Sequence, residues 1–172
     1  LENLELTTDM YEVKFGGGFN YFRGVLLNNY RSWRYVGVLH ETVTMLDQCP
    51  RKTKKLEGDY HLISGKSGNR SKNPNRYRDD AMVLSKVFET EKEEWLKIRY
   101  AFYCAQSYKD AGMIENATKW YKIRHGLDGW DQERYYAALM IGLLSKNLED
   151  YQAMTWWLLE THRIDPSRWD GV

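Results

Sequence analysis

A chain of 172 residues with 42% hydrophobic content has room for one ordinary domain or two small modules and enough apolar side chains for a core. Its 25 Lys and Arg against 24 Asp and Glu leave a net charge of only +1, which does not call for a nucleic acid or an anionic membrane as partner. No run of 18 apolar residues and no basic-then-apolar leader is visible, so neither a membrane span nor a signal peptide is expected. Cys49 and Cys104 fit no CxxC or Cys/His metal spacing and read as reduced thiols, which places the chain in a reducing compartment such as the cytoplasm. A single disulfide between them is the other option. The opening "LENLEL" lacks an initial Met, which points to a processed product or a piece of something longer.

From Met10 to Leu46 the residues have strand character. "YEVKF" alternates, "GGG" at Gly16 to Gly18 breaks the run, and "FNYFRGVLL" resumes it with β-branched and aromatic residues. "NNYRS" at Asn28 to Ser32 reads as a turn, and "WRYVGVLHETVTML" as a second extended run, giving a hairpin-like β segment. Between Asp47 and Tyr77 the composition shifts to Pro, Gly, Lys and Arg. There only "YHLI" at Tyr60 to Ile63 reads as a short strand, and the rest as exposed loop, a common place for ligand contacts.

After Asn75 the period becomes helical. "RYRDDAMVLSKVFETE" aligns Tyr77, Ala81, Leu84 and Phe88 on one stripe, and "EEWLKIRYAFYCAQSYKDAG" ends on Gly112, a helix-terminating glycine. "MIENATKWYKIRHGL" follows, then "DQERYYAALMIGLLSKN" with Asp131 as expected N-cap, then "EDYQAMTWWLLETHRI" stopping before Pro166. The expected fold class is therefore α+β: a short β-rich segment over residues 1–74, then five helices, mostly antiparallel neighbours, over residues 75–172.

A repeat spacing runs through those helices. Ala105, Tyr108, Ala117 and Tyr121 match the small-aromatic-Ala-aromatic spacing that interlocks two helices in a tetratricopeptide hairpin. Ile141, Leu144, Ala153 and Trp157 repeat it 36 residues later in weaker form. One good hairpin and one degenerate copy are fewer units than a free-standing solenoid uses, so the helices are expected to lean on the β segment.

Two constellations carry polar chemistry. In "SWRYVGVLHE" the adjacent His40 and Glu41 end a strand-like run, where neighbours face opposite sides unless the chain turns. By spacing alone the pair reads as a structural hydrogen bond at a strand end beside a solvated carboxylate. In "HLISGKSGNRS" His61 precedes a loop with two glycines, Lys66, Arg70 and hydroxyls including Ser71, the ingredients of a phosphate cradle or simply of a solvated basic loop. "RDD" at Arg78 to Asp80 reads as helix-start acid rather than metal ligand, "DGWD" at Asp128 to Asp131 as a turn, and His125 and His162 as helix-end residues. Neither HExxH, GxSxG nor a Cys-His nucleophile motif occurs.

The order of motifs adds to this. "YFRGVLLNNYRSWRYVGVLHE", "YHLISGKSGNRSKNPNRYRDDAMVL", "RYAFYCAQSYKDAG" and "KWYKIRHGLDGWDQERYYA" together resemble the C-terminal part of family 2 glycosyltransferases, which carry tetratricopeptide-type helices behind a GT-A domain. The resemblance covers roughly Tyr11 to Arg168, and its most specific pieces are the Trp33–Glu41 segment, the Arg70–Asp79 loop and "FYCAQSYKDAG" followed by "GW". It implies transfer of a sugar from a nucleotide-sugar donor to a sugar or protein acceptor, with a divalent Mn or Mg ion bridging the diphosphate. It further implies His40 and Glu41 as catalytic elements at the end of a GT-A sheet, Lys66, Arg70 and Ser71 at the donor diphosphate, and His61 or His40 completing the metal shell. Trp33 and Tyr35 are candidates to stack on sugar faces, with core packing as the other role open to them.

The chain contains no DxD metal motif and no doubly wound segment, both of which GT-A enzymes carry in an N-terminal α/β half. That half is expected on another chain or segment, and the 172 residues alone are expected to be inactive. The alternative from another class is a tetratricopeptide-like protein-interaction scaffold without catalysis. The transferase reading expects His40, His61 and Arg70 to converge in one cleft, and the scaffold reading expects the best pocket on the concave face of the helices.

Overall fold

The computed structural model describes residues 7–16, 21–63, 65, 68 and 72–168. Among these residues the fold is α+β, five strands followed by five helices. Contacts divide it into a β unit, Leu1–Gly37 with Glu41–Lys72, and a helical unit, Val38–His40 with Asn73–Val172.

In the β unit, β1 (Met10–Phe15) is the central strand of a three-stranded sheet. It pairs antiparallel with β2 (Tyr21–Leu27) and parallel with β5 (Thr53–Lys55). Alternation along β1 puts Tyr11, Val13 and Phe15 on one face, where Tyr11 and Val13 are buried with Leu56 and half-buried Phe15, Leu26 and Tyr60 pack around them. On the opposite face Met10 lies over Gly24, where an added Cβ would come within 2.4 Å of the Met10 Sδ, so that strand position is closed to side chains. The register slips between Tyr11 and Glu12, leaving Val25 as an extra residue on β2.

β3 (Trp33–Val36) and β4 (Thr42–Met45) form a separate antiparallel hairpin. This corrects the expectation of one extended run from Trp33 to Leu46. The chain reverses over residues 37–41, because Gly37 at φ 114° and His40 at φ 52° leave the strand conformation. Two smaller expectations also change. The loop beyond Asp47 contains β5, and "YHLI" contributes only an isolated bridge between Leu62 and Phe15. The strand signal of β5 was hidden by its Lys content, which edge strands tolerate.

Asp9 holds the start of β1 to two distant loops. Its carboxylate accepts from the Arg31 Nε at 2.8 Å and the Lys52 backbone N–H at 2.8 Å, while the Thr8 hydroxyl donates to the Lys52 carbonyl at 3.0 Å. The Lys52 N–H, and after it Arg31, hold the Asp9 carboxyl below its ordinary value of 3.8. A lowered carboxylate stabilises the fold above the unfolded value and loses that contribution as pH falls through the folded one. Asp9→Asn is therefore expected to lower the urea midpoint of the β unit at neutral pH. The gap from wild type should close as pH drops below 3.8, and a gap independent of pH would assign the effect to shape rather than charge.

The helical unit consists of α1 (Arg76–Thr90), α2 (Glu94–Asp110), α3 (Ile114–Gly126), α4 (Asp131–Asn147) and α5 (Tyr151–Ile164). Connections of three or four residues make sequence neighbours pack against each other, α1 on α2 through to α4 on α5. The predicted stripe of α1 is turned inward, with Ala81 and Leu84 fully buried. In the repeat spacing, Ala105, Tyr108, Ala117 and Tyr121 are all buried between α2 and α3. Ile141 and Leu144 are buried too, whereas Ala153 and Trp157 are only half-buried.

Helix ends follow local chemistry. Gly112 at φ 74° ends α2 while the Met113 N–H reaches the Tyr108 carbonyl at 2.9 Å, closing the last turn. Asp150 caps α5, its Oδ1 accepting from the Ala153 N–H at 3.0 Å. Asp131 is not the cap of α4: Trp130 holds that position, and Asp131, one residue inside the helix, bridges to Arg134 at 3.0 Å. An acid there still faces the positive end of the helix dipole, which is why the two positions look alike in sequence.

The turn between α3 and α4 is organised by Arg124, whose residue is fully buried. Its Nε donates to the Glu133 Oε2 at 2.9 Å, Nη1 to the Leu127 carbonyl at 3.2 Å and Nη2 to the Trp130 carbonyl at 3.2 Å. The planar guanidinium thereby satisfies three acceptors of a turn that Gly129, at φ 110°, bends into place.

Candidate functional site

Val38–His40, the tip of the β3–β4 turn, belongs by its contacts to the helical unit. There the His40 imidazole lies parallel to the Tyr103 ring of α2, centroids 4.0 Å apart and planes 6° from coplanar. The His40 carbonyl accepts from both Nε (2.9 Å) and Nη2 (2.6 Å) of Arg99. That guanidinium also stacks on the Tyr103 ring at 4.8 Å. Arg99 and Tyr103 are one helical turn apart, so a single face of α2 supplies both the donor pair and the aromatic wall. Tyr103 is backed by the edge of Phe102 at 5.5 Å, and Phe102 by Tyr136 at 5.7 Å.

His40 holds a left-handed backbone, a conformation that costs a non-glycine residue on the order of 1 kcal/mol. The other non-glycine residue with positive φ among the described residues, Glu149, follows a helix end, where that conformation is common. At His40 the compensation is the Arg99 fork and the ring stack. The outcome is an exposed imidazole, held at both its backbone and its ring, beside an exposed Glu41. An imidazole so presented can pass a proton to or from a bound hydroxyl.

The remaining expected site residues fall elsewhere. His61 is exposed in the β unit, next to Leu62, whose N–H donates to the Lys14 carbonyl at 2.8 Å and whose carbonyl accepts from Gly16 N–H at 2.9 Å. It borders an apolar concavity of about 480 Å³ floored by Val13, Leu26 and Leu56. His40 and His61 thus belong to different units. Lys66, Arg70 and Ser71 lie outside the described residues. Trp33 is half-buried and donates its indole N–H to the Asn28 carbonyl at 2.8 Å, which fixes the ring in the hairpin. Tyr35, by contrast, is 62% exposed and presents its ring to solvent.

Among the described residues no group of three or more His, Cys, Asp or Glu side chains is placed to hold a metal ion. Cys104 is buried on α2, donates to the Ala81 carbonyl at 3.4 Å, and has its thiol pushed up to about 12 by burial. A thiol so protonated is not a nucleophile, and exposed Cys49 is likewise a free cysteine.

Sequence reasoning singled out His40 but not the Arg99 and Tyr103 that contact it. They lie 59 and 63 residues away, in "KIRYAFY", and the cation-aromatic pair at i and i+4 was the available signal. No protein-family model, curated protein or solved structure matches the chain. Among the described residues no helix is long and apolar enough to cross a membrane.

Proposed function

We propose that the chain is the C-terminal portion of a GT-A, family 2-type glycosyltransferase whose helices are of tetratricopeptide type. It would transfer a sugar from a nucleotide-sugar donor to a sugar or protein acceptor. The observation that carries this reading is His40, an exposed imidazole held in a costly backbone conformation by Arg99 and Tyr103, followed directly by Glu41. Packing alone does not require an exposed residue to be held so firmly, whereas a group that must meet a substrate at fixed distance does.

In this reading the acceptor hydroxyl attacks the anomeric carbon while the bond from that carbon to the diphosphate breaks. Its proton passes to the His40–Glu41 pair as general base, and the nucleoside diphosphate leaves with the bonding electrons. The sequence resemblance assigns Lys66 and Arg70 to the charge that would develop on the diphosphate, with Ser71 as a hydrogen-bond donor. The divalent ion is assigned to the DxD of an N-terminal nucleotide-binding half that these 172 residues do not include.

Joining the chain to a segment bearing that half is expected to yield Mn²⁺- or Mg²⁺-dependent transfer to an acceptor or hydrolysis of the donor. His40→Ala should then cut the rate by about 10²- to 10⁴-fold. Arg99→Ala, which frees the turn without touching the imidazole, should cost less. Undiminished turnover in the His40 variant would remove this residue from the chemistry. A joined protein that binds no nucleotide-sugar would leave the interaction scaffold as the reading that survives.

A further inference from the structure

α5 carries a second aromatic site. Trp156 and Trp157 meet at nearly a right angle, planes 81° apart and centroids 4.6 Å apart. Trp157 is fixed from behind: its ring meets His125 edge-on at 5.0 Å, and His125 is tied by its Nε2 to the Glu160 Oε1 at 3.1 Å. Glu160 is in turn forked by Arg163, with both contacts at 2.6 Å. Trp156 leans on this wall and is itself 56% exposed. In front of the two rings lies a shallow concavity of about 320 Å³, completed by Asp150, Gln152 and Ala153.

We propose that this corner is a binding subsite for one neutral sugar ring of a glycan. A pyranose has an apolar face of C–H bonds and a rim of hydroxyls, so it needs a flat aromatic surface flanked by hydrogen-bonding groups. Trp156 supplies the surface, and Trp157 closes one side so that a ring seated there has a single orientation. Gln152 can donate to and accept from hydroxyls. Asp150 uses Oδ1 for the helix cap, and its carboxylate has further acceptor positions for a hydroxyl proton. Among the described residues no Lys or Arg lines the concavity while one carboxylate does, which favours neutral sugars over uronic acids or sulfated glycans. The ligand class fits the sugar acceptor of the transfer reading without depending on it, because the site stands on α5 geometry alone.

The 172-residue chain is to be titrated with maltoheptaose, cellopentaose and chitotriose, followed by tryptophan fluorescence, with size-exclusion light scattering in parallel. A saturable response to at least one of them is expected in the millimolar range or tighter. Trp156→Ala should weaken it about tenfold or more, Trp156→Phe by no more than about threefold, and Gln152→Ala by about threefold. Pentagalacturonic acid should bind more weakly than the neutral glycans. Circular dichroism identifies properly folded variants, and Gln152→Ala, an exposed change to a strong helix former, keeps the test informative should Trp156→Ala unfold. The proposal is overturned by no saturable response to any neutral glycan, or by equal affinity in folded Trp156→Ala. It also falls if a dimer is lost in that variant without glycan binding, which would make the face a contact between copies. None of these outcomes bears on His40, so this site and the transfer reading stand or fall separately.

Discussion

Arg124→Ala is expected to lower the stability of the helical unit by about 3 kcal/mol, read as a shift of the urea midpoint followed by circular dichroism. The substitution empties a fully buried position and frees three acceptors at once, the Glu133 carboxylate and the Leu127 and Trp130 carbonyls. Breaking a buried pair from one side costs about 3–5 kcal/mol because the surviving charge has lost its partner. The lower end applies here, since the Glu133 side chain keeps 16% of its exposure and can recruit water. Arg124→Lys should recover only part of the loss: one ammonium cannot face three acceptors spread around a planar fork. Pairing Arg124→Ala with Glu133→Gln should restore some stability by removing the orphaned charge. If the double variant were less stable by the sum of the single effects, the ion pair would not be what holds the α3–α4 turn.

The second large effect is expected at Gly142, where α4 crosses α5. A Cβ added there would lie 2.8 Å from Leu158 Cδ2, 3.0 Å from Leu158 Cγ and 3.4 Å from the Met154 carbonyl oxygen. Alanine gains about 1 kcal/mol of helix propensity over glycine, against about 1–3 kcal/mol for overpacking. The sign is decided by what can move. Leu158 can move its Cδ2 about χ2 and its Cγ about χ1, but the second rotation lifts the whole side chain out of its seat against α4, and the Met154 oxygen is α5 backbone. Gly142→Ala is therefore expected to destabilise modestly, by about 1 kcal/mol net. Gly142→Leu should detach α5 and with it the Trp157–His125–Glu160 cluster. Near-UV circular dichroism, sensitive to the fixed tryptophans, should lose intensity while far-UV helicity falls by little more than one helix. A stabilised Gly142→Ala would mean that α4 and α5 are less tightly seated than these distances imply.

The helices were legible in the sequence because their signals are local. A period of 3.6, Gly112 after one helix and Pro166 after another place all five elements within a few residues of where they occur. The β segment was legible only in part. Alternation in "YEVKF" marks β1, but β5 is "TKK", whose pairing with β1 is decided by a chain segment about 40 residues away. Nothing inside three polar residues encodes that partner. The same limit appears at Asp131, where cap and first turn have the same preference for acid, and only the backbone angle at Trp130 separates them.

By itself the sequence determined the α+β order, the inward stripes of the helices and the interest of His40 and Glu41, all properties of residues near one another in the chain. Tertiary structure decided the rest. It turned "VGVLHE" from a strand end into a tight reversal, set the His40 ring on Tyr103 and its carbonyl in the Arg99 fork, and buried Arg124 among three acceptors. It also brought the "WW" pair into a corner braced by His125 from a different helix. Each of these depends on side chains far apart in sequence meeting at contact distance, and such meetings are fixed by packing and hydrogen-bond satisfaction across the fold rather than by the preferences of any one segment.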